Sequence, residues 1–299
     1  MFSGMLYIFL PLVIGYLIPV NKASVLEFIN TQTTRLILVI LTLMGLSLAG
    51  LDNISQNLSQ IVTYTLVFFL VISSCNLLVL PVLDKLLPTS TEHTHQQLPF
   101  REMILESVKL IFVVAGGLLF GLVSGIDLSW VDQASEVILL ILLFLIGIQL
   151  RNSGMTLKQI LLNKKGILIA LAVIATSLPG GLLAAYFLDM PYNHGLAMAS
   201  GFGWYSLSGI LIGDSLGPVM GGVAFLNELL RELVALSMIP LMIRRYPSTA
   251  IGYAGATAMD FTLPVIQNCG GIRCVPIAIV SGFILSLLVP VLMLFFLSL

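Results

Sequence analysis

Ile167-Leu-Ile-Ala-Leu-Ala-Val-Ile-Ala-Thr-Ser-Leu-Pro-Gly-Gly-Leu-Leu-Ala-Ala-Tyr-Phe-Leu188 carries no charge. At 1.5 Å per residue such a run crosses the roughly 30 Å hydrocarbon layer of a bilayer as one helix. The loop before it, Arg151–Gly166, holds Arg151, Lys158, Lys164 and Lys165 and no acid. Lys and Arg in short loops mark the cytoplasmic side, so the run points outward and Asp189 lies outside.

Working outward, similar runs occupy Phe2–Pro19, Leu36–Leu51, Ile61–Leu83, Val108–Val123, Val137–Leu150 and Val275–Leu297. The whole chain of 299 residues is 58% apolar and 9% charged, with a net charge of −1. An ordinary soluble domain is about 25% charged. These figures exclude a soluble globular protein, a disordered chain and a nucleic-acid binder, which needs a basic surface. The expected class is an all-α polytopic membrane protein. Three cysteines, Cys75, Cys269 and Cys274, make no disulfide framework. They lack the further ligands of a metal site, and neither a metal nor a cofactor is expected. The first basic residue, Lys22, follows the first apolar run, opposite to a cleavable signal, so that run is expected to stay in the membrane.

Three later segments differ. Tyr192–Ile212 is rich in Gly, Ser and aromatics; Val223–Ile243 holds Asn227, Glu228, Arg231 and Glu232; Ala250–Ile266 holds Asp260 and Pro264. Placing Arg244-Arg245 inside requires the first of these to enter and return from outside. The third then re-enters from the cytoplasm. The expectation is eight transmembrane helices plus two re-entrant or broken segments, both termini outside. The rival is ten full spans.

Leu41-Thr-Leu-Met-Gly-Leu-Ser-Leu48 resembles Leu143-Phe-Leu-Ile-Gly-Ile-Gln-Leu150 at an offset of 102, which also pairs Gly15 with Gly117. Three spans separate the copies, so they have opposite orientation, the inverted-repeat pattern of secondary transporters. The expected organisation is a first three-span repeat at 1–87, a cytoplasmic linker at 88–107, a second, inverted repeat at 108–190, and a C-terminal transport core with broken helices at 191–299. His93 and His95 fall in the linker and read as solvated loop residues.

A charge in mid-membrane costs about 2.5–3.5 kcal/mol even on a lenient scale, so intramembrane charges normally face a cavity and carry function. At about 100° per residue Asn227, Glu228, Arg231 and Glu232 share one helix face. Arg231 neutralises one carboxylate. An alternative for Glu228 is a first-turn acid at the membrane surface. Thr257, Asp260, Thr262 and Pro264 suit a broken helix lining a polar cavity; a cytoplasmic loop is the alternative. Gly201-Phe-Gly-Trp-Tyr-Ser-Leu-Ser-Gly-Ile-Leu-Ile-Gly-Asp214 adds glycines for close backbone approach, the hydroxyls of Ser206 and Ser208, Asp214, and Trp204 and Tyr205 for stacking on a cation or for the interfacial belt. An enzyme is not expected. A serine hydrolase at Ser208 needs a nearby base, and His194 sits at a segment edge.

Gly15-Tyr-Leu-Ile-Pro19 after the opening Met-Phe-Ser-Gly, Gly147-Ile-Gln-Leu-Arg-Asn152 with Gly154-Met-Thr-Leu-Lys-Gln-Ile160, Met198-Ala-Ser-Gly-Phe-Gly-Trp-Tyr-Ser-Leu-Ser-Gly-Ile210, Arg231-Glu-Leu and Met259-Asp-Phe-Thr-Leu-Pro264 resemble the bacterial lysine exporter LysO family over nearly the whole chain. The resemblance implies an inner-membrane exporter of L-lysine and the toxic analogue thialysine. It implies eight spans with both termini outside and two essential intramembrane acids, matching Glu232 and Asp260. Glu228 matches less strictly.

Exporting a cation against an inside-negative potential is opposed by about 2.3 kcal/mol per 100 mV. The expected drive is proton antiport, Glu232 and Asp260 alternately holding lysine's ammonium groups or protons. One-for-one exchange is electroneutral, and each pH unit supplies about 1.4 kcal/mol per proton. Backbone amides near Ser206 and Ser208, or Arg231, are candidate ligands for the lysine carboxylate. Membrane lipid surrounds the chain, and a homodimer is allowed for. The alternatives are a Na+ or K+/proton antiporter using the same acids, and an intramembrane hydrolase.

Overall fold

A computed structural model describes residues 10–20, 22–50, 54–89, 91, 100–126, 128–152, 163–271 and 273–299. Residues 10–16 are helical. The helices that follow are α1 (Ala23–Ala49), α2 (Ile54–Leu86), α3 (Phe100–Ser124), α4 (Val131–Arg151), α5 (Lys164–Phe187), α6 (Tyr192–Ala199), α7 (Tyr205–Leu216), α8 (Pro218–Met242), α9 (Pro247–Ala254), α10 (Leu263–Gly270) and α11 (Val275–Leu297). A short 3-10 turn, Gly255–Met259, follows α9. No strand occurs among the described residues. In lipid each backbone amide must find its partner within the chain, and helices achieve this locally. Among the described residues Ala23–Ala49, Gln56–Leu86, Lys164–Phe187 and Val275–Leu297 are long and apolar enough to cross a bilayer. The fold is that of an all-helical polytopic membrane protein.

Helix ends depart from the apolar runs. The apolar run begins at Leu36, yet α1 begins at Ala23, in the polar stretch between the first two runs. Within this polar stretch Thr31, Thr33 and Thr34 satisfy their hydroxyls on the carbonyls of Glu27, Ile29 and Asn30, at 2.9, 2.9 and 3.1 Å. Likewise α3 starts at Phe100, inside the expected linker. Residues 1–9, His93, His95 and 153–162 lie outside the described residues.

The helical stretch 10–16 packs on α4, and α1 packs on α3, through glycines. A Cβ on Gly45 would stand 2.8 Å from the Leu118 nitrogen and 3.1 Å from the Gly117 carbonyl carbon. A Cβ on Gly147 would stand 2.8 Å from the Tyr16 nitrogen and 3.1 Å from the Gly15 carbonyl carbon. The 102-residue offset carries one contact into the other with partners exchanged. Absent side chains let these backbones touch, as in small-residue helix pairs within membranes. Asn152 ties the same group together by accepting from the Val20 amide at 2.8 Å and donating to the Ile18 carbonyl at 3.1 Å.

Helices α2 and α5 pack on each other and on the C-terminal elements instead. Thr176 donates to Asn76 Oδ1 at 2.5 Å across that contact. At one end of the bundle Lys165 donates to the Pro88 carbonyl (2.7 Å), Asn163 to the Pro276 carbonyl (2.9 Å), and Asp84 accepts from Ser248 and Thr249. Gly270 packs on Ile243 at this same end. At the other end Asn193 lies 3.5 Å from the Phe296 carbonyl, Gly213 packs on Gly221, and Gly222 on Ile61.

Candidate functional site

Two helices are interrupted, and the interruptions meet. The chain leaves α6 at Ser200 and restarts at Tyr205, turning through Phe202 (φ 47°) and Gly203 (φ 97°). It leaves α9 at Gly255 (φ 68°) and restarts at Leu263. The Ala256 amide donates to the Phe202 carbonyl at 2.8 Å, joining the two breaks. A Cβ at Gly255 would strike Phe202, so glycine is needed there for both its backbone angle and its space.

Helix α8 supplies the charges that stabilise these breaks. Glu228, 2% exposed, accepts from the Gly203 amide and, at 2.8 Å, from Asn227 Nδ2. A carboxylate here faces the N-terminus of α7, where free amides point. Arg231, 4% exposed, donates from Nε to the Tyr253 carbonyl at 3.0 Å and from a terminal nitrogen to the Gly252 carbonyl at 3.3 Å. Its guanidinium lies 5.6 Å from the Tyr253 ring centre, and it interacts electrostatically with Glu228. Tyr253 in turn shares a 2.9 Å hydrogen bond with Ser73 on α2. The N-terminus of α9 is held by Asp84, which accepts from the Ser248 amide (2.6 Å), the Thr249 amide (3.1 Å) and the Thr249 hydroxyl (2.6 Å). The eight-residue α9 therefore has an anion at its positive end and a cation at its negative end.

In front of the breaks is a cavity of about 400 Å³. Trp204, Ser206, Glu232, Thr257 and Asp260 line it, five of the residues expected from sequence. Glu232 comes from α8 and is 1% exposed; Asp260 comes from the second break and is exposed to the cavity. The Phe261 amide donates to Asp260 Oδ1 at 2.6 Å, and the Thr257 hydroxyl to the Ala254 carbonyl at 2.9 Å. The volume lies in the usual range for small-molecule sites.

The remaining expected residues are elsewhere. Asn227, Glu228 and Arg231 are buried behind the wall. Thr262 is buried and donates to the Thr257 carbonyl at 3.0 Å, closing the second break. Ser208 is buried against Gly201, and its hydroxyl has no hydrogen-bond partner among the described residues. Asp214 borders a second, smaller cavity. Sequence reasoning missed Thr33 and Thr34 on α1, Gln149 on α4 and Ser286 on α11, which complete the lining of the larger cavity. For Gln149 and Ser286 a polar residue within an otherwise apolar run was the available signal; Thr33 and Thr34 stand in a polar stretch and gave none. Gln149 also donates to Asn30 Oδ1 at 2.8 Å, linking α4 to α1. No group of three metal-ligating side chains occurs among the described residues.

No solved structure matches the chain. Residues 110–297 match the family described as "Lysine exporter LysO". A protein from Escherichia coli (strain K12) named "Lysine exporter LysO" is 54% identical over 297 residues, 99% of each chain. A "Putative lysine exporter" from Haemophilus influenzae is 46% identical over 189 residues, 60% of this chain and 97% of its own. On the family match and the near full-length relative, the chain belongs to the lysine exporter LysO family.

Proposed function

We propose that the protein exports L-lysine, and its analogue thialysine, across the bacterial inner membrane in exchange for protons. The observation that carries this reading is the cavity itself: Glu232 and Asp260, from two different elements, line one polar space beside Trp204, Ser206 and Thr257. Two carboxylates match the two ammonium groups of lysine, and Trp204 offers a face for a cation. When lysine leaves, protons take its place on the carboxylates. Arg231 donates to the Gly252 and Tyr253 carbonyls and does not line the cavity, so the lysine carboxylate is assigned to the Ser206 region, at the N-terminal turn of α7.

The reading includes eight spans, two re-entrant segments, two inverted three-span repeats and both termini outside. The exchanged Gly45–Gly117 and Gly147–Gly15 contacts support the repeats. The contacts of Ser248 with Asp84 and of Gly270 with Ile243 support a second broken segment that starts and ends at one face. That face also carries Lys85, Lys165 and Arg244-Arg245, as a cytoplasmic face should. The larger cavity is lined near this end, by Thr33, Thr34 and Gln149, and so takes substrate from the cytoplasm.

The test is efflux of labelled lysine from preloaded proteoliposomes, with and without an imposed proton gradient, for wild type and Glu232→Gln. Gradient-stimulated efflux is expected in the wild type and not in the variant. Folded wild-type protein that moves Na+ or K+ but no lysine would replace this reading with the ion antiporter. Normal efflux by Glu232→Gln would remove that acid from the mechanism.

A further inference from the structure

The smaller cavity, about 200 Å³, shares three lining helices with the larger one, α1, α4 and α7, and is displaced along them. Helix α1 offers Thr33, Thr34 and Ile37 to the larger cavity, then Ile40, Met44 and Ser47 to the smaller. Helix α4, running the other way, offers Gln149 and Ile146, then Leu139 and Ser135. On α7 the sequence is Ser206, then Gly209, Ile210, Gly213 and Asp214. The two cavities therefore lie end to end on one seam. Along α1 only the turn from Ile37 to Ile40 separates them, about 4.5 Å of helix. Between the two cavities these helices carry apolar residues: Leu142, Leu143 and Leu207 are buried, next to Ile40, Leu139 and Ile210 on the wall of the smaller cavity.

The seam divides two bodies. On one side 10–16, α1, α3 and α4 touch backbone to backbone at their glycines, a packing that resists internal change. On the other, α2, α5 and the broken helices are pinned by Asp84, Arg231, Glu228 and the Asn76–Thr176 bond. Relative movement of the two bodies alters the apolar layer between the cavities and leaves both sets of internal contacts intact.

We propose that the smaller cavity is the exit site for the exported alkylammonium cargo, with Asp214 as the carboxylate that receives its ammonium group after it leaves Glu232 and Asp260. This rests on the exporter reading. Asp214 is exposed at the rim, Ser47 and Ser135 add hydroxyls, and Met44, Leu139 and Ile210 form an apolar wall suited to a chain of methylenes. Gly209 and Gly213 border the cavity on one side and pack closely on Phe225 and Gly221 of α8 on the other.

The experiment uses Ser135→Cys in the full chain with Cys75, Cys269 and Cys274 changed to Ser. A membrane-impermeant thiol reagent is applied to spheroplasts, with and without external lysine, and efflux is measured in parallel. Labelling from outside is expected, and lysine slows it. Adding Asp214→Asn weakens that protection about threefold, the scale of one exposed ion pair, and Asp214→Glu restores it. Labelling that ignores lysine, or protection unchanged by Asp214→Asn, in a protein that exports lysine overturns the exit site alone. Absence of lysine efflux from the wild type overturns the exporter reading and the exit site with it.

Discussion

Replacing Arg231 by Met separates a structural from a ligand-binding role for this buried cation beside the site. The structure assigns Arg231 two charge-assisted hydrogen bonds to the C-terminal carbonyls of α9, one of them long at 3.3 Å, plus its interaction with Glu228. The two bonds contribute about 3 kcal/mol between them, the low end for charged donors. Their loss also leaves Glu228, 2% exposed, without a nearby cation. Breaking a buried pair from one side costs about 3–5 kcal/mol in all. Arg231→Met should therefore destabilise by about 3–5 kcal/mol, measured by urea titration of the protein in a mild detergent. Glu228→Gln in the same chain removes the stranded charge while keeping an acceptor for the Gly203 amide. The double variant should be more stable than the sum of the single changes predicts, by about 1–3 kcal/mol. Two results would refute the reasoning: strictly additive singles, or Arg231→Met of wild-type stability that exports with a raised KM. The second would make Arg231 a ligand for lysine's carboxylate.

Gly147→Leu should prevent the close approach of α4 to residues 10–16 and lower the yield of folded protein, read by size-exclusion of the detergent-extracted chain; Gly116→Leu, with open space at its Cβ, should fold normally. Asp84→Ala removes three hydrogen bonds from the start of α9 and should cost about 1–2 kcal/mol, the scale of an N-cap, in the same urea titration. Ser208→Ala should keep both stability and lysine export, because its hydroxyl makes no hydrogen bond among the described residues; a pure wild-type protein that transports nothing, with an activity that Ser208→Ala abolishes, would favour hydrolysis by a serine nucleophile.

How much was legible beforehand differs between elements. The scarcity of charge and the uncharged 22-residue run sufficed for the membrane class, because no other setting tolerates so much apolar length. Gly, Thr, Asp and Pro within apolar segments marked both interruptions, since such residues leave backbone groups that lipid cannot satisfy. Helix ends were less legible: Asn21–Arg35 is polar, yet α1 begins at Ala23, because hydropathy marks the membrane-length run and not where the backbone starts to coil.

The sequence by itself determined that four polar residues of Val223–Ile243 share a face and that Glu232 and Asp260 stand in apolar surroundings, because periodicity and composition are local properties. Which of Glu228 and Glu232 reaches the cavity was decided only by tertiary structure. The two lie one turn apart, and the Gly203 amide, brought over from another helix, engages the first and leaves the second on the cavity wall. The same holds for Thr33, Gln149 and Ser286, which come to the site from three distant helices. A helix face is set by its own 3.6-residue repeat, but what that face meets depends on how the other helices pack.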